Sequence, residues 1–131
     1  ALREADAVAL SLVAEDAEQL VAHVLFSPVG VDGVRGAVAL APMAVAPERQ
    51  RTGLGTALLT RALEILRERD VSAVFVLGHP GYYPRFGFVP ASRFGIACPL
   101  PAPDDAFLAV ELRARALAAG RGTLRYHPAL A

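Results

Sequence analysis

Residues 34–77 constrain this chain most, because they read in unbroken succession as strand, glycine turn, helix and buried strand. Residues 34–45 (VRGAVALAPMAV) are apolar and strand-like with a proline inside, so a ladder bond is missing on one side at Pro42. From Leu54 onward, Leu58, Ala62, Ile65 and Leu66 recur at helical spacing. Arg61, Glu64, Arg67 and Glu68 gather opposite them, which predicts a helix to about Arg69. Residues 71–77 (VSAVFVL) are nearly all apolar and too short for a helix, hence a strand covered on both faces. In that order the pieces make a βαβ unit with a parallel pair.

Around this unit, residues 8–14 and 19–31 read as strands, the second carrying Pro28 and ending in a turn at Asp32 and Gly33. Residues 106–112 and 123–126 read as late strands, with turn-rich chain at 78–85 and a proline-rich loop at 99–105. The 131 residues suit one domain, 1–131. Thirteen arginines balance thirteen acids, which argues against a general nucleic-acid or anionic-membrane binder. Charged residues interrupt every apolar run before it reaches membrane-spanning length, and Glu4 and Asp6 stand where a signal peptide would turn apolar. The single cysteine, Cys98, rules out an internal disulfide and a multi-cysteine zinc site and favours a reducing cytoplasm. No spacing of His, Cys, Asp or Glu suggests a metal site.

The turn itself, VAPERQRTGLGTALL, sets Gln50, Gly53 and Gly55 in a QxxGxG spacing at the start of the helix. A helix start leaves backbone N–H groups unpaired at the positive end of its dipole, and glycines let the chain bend so that these donors converge on phosphate oxygens. Three arginines and no acid lie between Arg49 and Leu63, a local field that suits a diphosphate. The same residues also fit a plain capped connection, with Thr52 as N-cap and the glycines serving turn geometry. A Walker loop would need Gly-Lys-Ser or Gly-Lys-Thr and a dinucleotide fingerprint GxGxxG; the chain has neither.

Residues 42–59, PMAVAPERQRTGLGTALL, resemble the acetyl-coenzyme A motif of the GNAT superfamily of N-acetyltransferases, in which Q/R-x-x-G-x-G/A joins a strand to a helix. The run VLGHPGYYPRFGFVPA resembles a bacterial subgroup of predicted acetyltransferases within it. The resemblance implies an α/β (α+β) fold: a mixed, mostly antiparallel sheet with a splayed parallel strand pair and flanking helices. It implies acetyl-CoA as cosubstrate, without a metal. Backbone groups of Met43, Ala44 and Val45 would hold the pantetheine arm; Gln50, Arg51, Thr52, Gly53, Leu54, Gly55 and Thr56 would hold the pyrophosphate. The Val45 amide would also serve the oxyanion. The family's Y-x-x-x-G-F piece falls on Tyr83, Gly87 and Phe88, which makes Tyr83 the acid that protonates the departing thiolate.

An amine acceptor must lose a proton, and His79, at the carboxyl end of the buried strand, is the candidate base. Glu48 and Glu111 are weaker candidates, His23 reads as a strand histidine, and His127 lies near the end of the sequence. The resulting expectation is transfer of the acetyl group to a primary amine, small molecule or peptide, by direct attack in a ternary complex. The alternative is an acyl-CoA-binding regulatory or sensing module without catalysis. The first recognisable strand matches the family's second, so the N-terminal strand and helix are expected to be missing. The acceptor face is then completed by preceding residues or by a second subunit, as in a homodimer.

Overall fold

The computed structural model describes residues 10–16, 19–50 and 52–126; Arg51, His127 and the first nine residues lie outside that set. β1 (Leu10–Asp16) and β2 (Gln19–Asp32) form an antiparallel hairpin, and β2 turns at Asp32 and Gly33 toward β3 (Ala37–Val45). Helix α1 (Leu54–Glu68) crosses to β4 (Ala73–Leu77), and β5 (Val89–Pro90), β6 (Ile96–Ala97), β7 (Phe107–Glu111) and β8 (Arg121–Tyr126) complete the sheet. Its order is β5-β7-β4-β3-β2-β8-β6, with β1 also on β2.

Most neighbours are antiparallel; β3–β4 is the parallel pair expected of the βαβ unit, and the short β6 runs parallel to β8. The expectation of flanking helices is met by one α-helix among the described residues, the other helical turns being short 3-10 segments. No helix among the described residues is long and apolar enough to cross a membrane.

Alternation along the strands gives the sheet two apolar faces. Val38, Leu40, Val74 and Val76 face one side, where α1 buries Leu58, Leu59, Ala62, Leu63 and Leu66 against them. Ala37, Ala39, Ala73 and Phe75 face the other, covered by Ile96, Leu117 and Leu124 from the C-terminal chain. Arg113 closes the far end of α1 by donating to the carbonyls of Arg67 (3.2 Å) and Arg69 (2.8 Å).

One irregularity shapes the site. Against β2, three steps along β3 from Leu40 to Met43 match two steps from Phe26 to Val24, so β3 carries an extra residue there. Against β4, pairing stops at Leu40 with Val76. Beyond that point β3 continues alone on its β4 side, and the parallel pair splays.

Candidate functional site

The splay leaves backbone groups without a strand partner, and the register identifies which. In an antiparallel ladder, residues alternate between pairs that exchange both backbone bonds and pairs that exchange none. The Ala46 amide donates to the Val21 carbonyl at 2.7 Å, flanking the Ala22–Val45 pair, so Val45 belongs to the second kind. Met43, two residues earlier and opposite Val24, does as well. Both therefore turn their N–H and C=O toward the open side. The Gln50 side chain reaches this edge, its Nε2 donating to the Val45 carbonyl at 3.2 Å.

Past the edge the chain makes a short turn and enters α1. Gly53, not Thr52, is the N-cap residue, with φ +86° and no side-chain capping bond, while the Thr52 hydroxyl donates to the Arg49 carbonyl. Only glycine adopts that left-handed geometry without strain, and a bare cap leaves the first amides of the helix to other acceptors. The first intrahelical bond enters at Ala57, whose amide donates to the Gly53 carbonyl at 3.0 Å. No acid occupies the first turn. Gly55 leaves the cleft open: a Cβ there would stand 2.9 Å from Met43 Cε, the end of a flexible chain, and 3.3 Å from Val45 Cγ2.

These pieces line a cleft of about 440 Å³ formed by Met43, Val45, Gln50, Gly53, Gly55 and Thr56, together with Arg49, Tyr82 and Arg85. Among the described residues no carboxylate lines it, and Arg49 and Arg85 do. Tyr82 and Arg85 are absent from the site residues read from the sequence. The Tyr82 hydroxyl shares a 3.0 Å hydrogen bond with the Thr56 hydroxyl, and Arg85 lies 4.6 Å over the Tyr82 ring while its Nε donates to the Tyr82 carbonyl at 2.9 Å. The signal was the doubled tyrosine with an arginine three residues on, too short a pattern to separate from loop packing.

Tyr83 stands beside this cleft, just beyond the end of β4. A Cβ placed on Gly78 would lie 2.4 Å from its Cε2 and 3.3 Å from Cζ, the carbon that bears the hydroxyl, so the missing side chain at Gly78 is what admits the ring. Tyr82 at 5.1 Å and Phe88 at 5.7 Å hold it edge-on. Burial first, and the neighbouring Tyr82 second, push its hydroxyl above the ordinary tyrosine value of 10.0.

His79 is exposed and holds the turn that carries both tyrosines. Its Nδ1 accepts from the Gly81 amide at 3.0 Å, and its carbonyl accepts from the Tyr82 amide at 3.1 Å. That bond assigns the proton of the neutral ring to Nε2, so the lone pair a base would use is already engaged. Glu111 is likewise committed, its Oε2 accepting from the Leu117 amide at 3.0 Å. His23 sits within β2, its Nε2 3.2 Å from the Ser11 hydroxyl.

Comparison with known proteins gives a consistent result. Residues 2–88 match the model of the acetyltransferase (GNAT) family. The chain is 38% identical over 128 residues to the uncharacterized N-acetyltransferase YhbS of Escherichia coli strain K12, covering 96% of this chain and 77% of that protein. The crystal structure of Escherichia coli YhbS in complex with CoA superposes with a TM-score of 0.89 at 38% identity, over 96% of this chain and 71% of that one. A GNAT-family acetyltransferase from Brucella melitensis in complex with acetyl-CoA gives a TM-score of 0.79 at 34% identity, over 99% and 73%.

Proposed function

This chain belongs to the acetyltransferase (GNAT) family and is an acetyl-CoA-dependent acetyltransferase, and we propose that it moves the acetyl group to a primary amine by direct attack in a ternary complex. The observation that carries this reading is the single line from the open backbone edge of Met43 and Val45 to the uncapped start of α1, with Tyr83 at the end of the neighbouring strand.

Acetyl-CoA, when bound, supplies a thioester carbonyl for the amine to attack and a thiolate to be expelled. The residues of the chain do the rest. Open backbone groups of Met43 and Val45 take the pantetheine arm as an added strand would, with Gln50 bracing the carbonyl end of that edge. The amides at the start of α1, with Thr56, take the pyrophosphate, and Arg49 and Arg85 supply the positive wall. The Val45 N–H lies on the open side, where it can receive charge developing on the carbonyl oxygen. Tyr83 donates its proton to the sulfur as the C–S bond breaks. The proton lost by the incoming ammonium goes to water, because His79 spends its lone pair on Gly81; we assign His79 to positioning the Tyr82–Tyr83 turn.

Thiol release from acetyl-CoA over a panel of primary amines tests the reading, with release dependent on both substrates expected and amine-independent binding alone contradicting it. In the same assay Arg85→Ala should raise the KM for acetyl-CoA roughly 10-fold with little change in kcat, the loss of one charge-assisted contact to phosphate. An unchanged KM would remove Arg85 from the binding wall.

A further inference from the structure

A second cleft opens on the other face of the sheet. It measures about 920 Å³, and β3 joins it to the first: Ala39, Leu40 and Ala41 line this one, and Met43 and Val45 line the other. Its lining includes Leu77, the last residue of β4, so the cleft adjoins the split where the parallel pair parts. The outer wall comes from β8 and the loop at Pro99 and Leu100.

The chemistry of that wall is one-sided. Leu77 and Leu100 are two of only four large apolar side chains exposed among the described residues, at 40% and 52%, and both line this cleft. Leu124 and the half-buried Tyr126 add further apolar surface. Among the described residues the charged lining residue is Arg125, which is paired with Asp32 at 3.0 Å, and no carboxylate of that set lines the cleft. Exposed leucines gathered in a concavity of ligand size mark a binding surface rather than scatter. Among the described lining residues a second ammonium on the substrate would find no counter-charge.

We propose that this cleft seats the body of the acceptor, and that the acceptor is therefore a monoamine bearing an aliphatic or aromatic group, its amine reaching through the split that opens at Ala41 and Leu77. The inference rests on the transferase reading above.

Thiol release measured with ethylamine, butylamine, hexylamine and 1,6-diaminohexane tests it. The value of kcat/KM should rise about 3- to 4-fold for each added methylene, as apolar burial requires, and the diamine should fall at least roughly 10-fold below hexylamine. Leu100→Glu, at an exposed position that the fold does not depend on, should reverse the order of hexylamine and the diamine while acetyl-CoA binding, read by calorimetry, stays unchanged. Rates indifferent to chain length, or fastest for the diamine with the unaltered protein, overturn the inference and leave the transferase reading standing. Absence of thiol release with every amine overturns both.

Discussion

Tyr83→Phe should lower kcat on the order of 10²-fold, with acetyl-CoA affinity nearly unchanged. The substitution removes one oxygen and keeps the ring that fits against Gly78 and packs on Tyr82 and Phe88, so the loop should hold its shape. What is lost is the proton that the proposed mechanism gives to the leaving sulfur. Because burial and Tyr82 raise the Tyr83 pKa, its neutral, proton-bearing form persists above pH 10. The rate of the unaltered enzyme should therefore climb as the acceptor amine deprotonates and show no downturn below about pH 10, where an unperturbed tyrosine would already be half ionised. Gly78→Ala provides a check that moves the ring without touching the hydroxyl, since the new Cβ would stand 2.4 Å from Cε2 and displace it. It should reproduce much of the loss. Equal turnover by Tyr83→Phe at every pH would remove Tyr83 from the chemistry.

Gly55→Val should weaken acetyl-CoA binding at least roughly 100-fold, the equivalent of two charge-assisted hydrogen bonds. The first branch point of the new side chain falls 2.9 Å from Met43 Cε and 3.3 Å from Val45 Cγ2, so the isopropyl group must occupy the cleft beside the amides proposed to hold the pyrophosphate. The helix itself should survive. Gly55 lies in the first turn of α1 without positive φ, and Met43 Cε is the end of a flexible chain that can give way. Far-UV circular dichroism should be unchanged and the melting temperature lowered by only a few degrees, or about 1 kcal/mol. Dissociation constants within threefold of each other, measured by calorimetry on the two proteins, would mean that the glycine turn is only a connection.

The βαβ unit was legible because its periodicities are long and unambiguous: α1 begins at Leu54 as expected and ends at Glu68, one residue before the predicted limit. The buried strand begins at Ala73, because the Ser72 amide is spent on the Gly36 carbonyl at 3.0 Å and the ladder starts after it. β6 is two residues long and has no pattern of its own; it exists because β8 offers it a parallel edge. Thr52 looked like an N-cap by residue type, yet its hydroxyl turns back to Arg49 and leaves Gly53 at the cap. Tyr82 and Arg85 escaped because their place in the cleft depends on a loop folding 26 residues away onto Thr56. Glu111 read as a weaker candidate base, and only the path of the chain to Leu117 shows what it binds. Sequence carries local periodicity well. It carries poorly what two distant loops do when they meet.

Isothermal titration of the chain with acetyl-CoA tests most directly the proposed binding along Met43, Val45 and the start of α1. One site per chain is expected, with a dissociation constant in the micromolar range and heat abolished by Gly55→Val. No heat and no thermal shift at about 1 mM acetyl-CoA, where any such site would be saturated and stabilising, would contradict it.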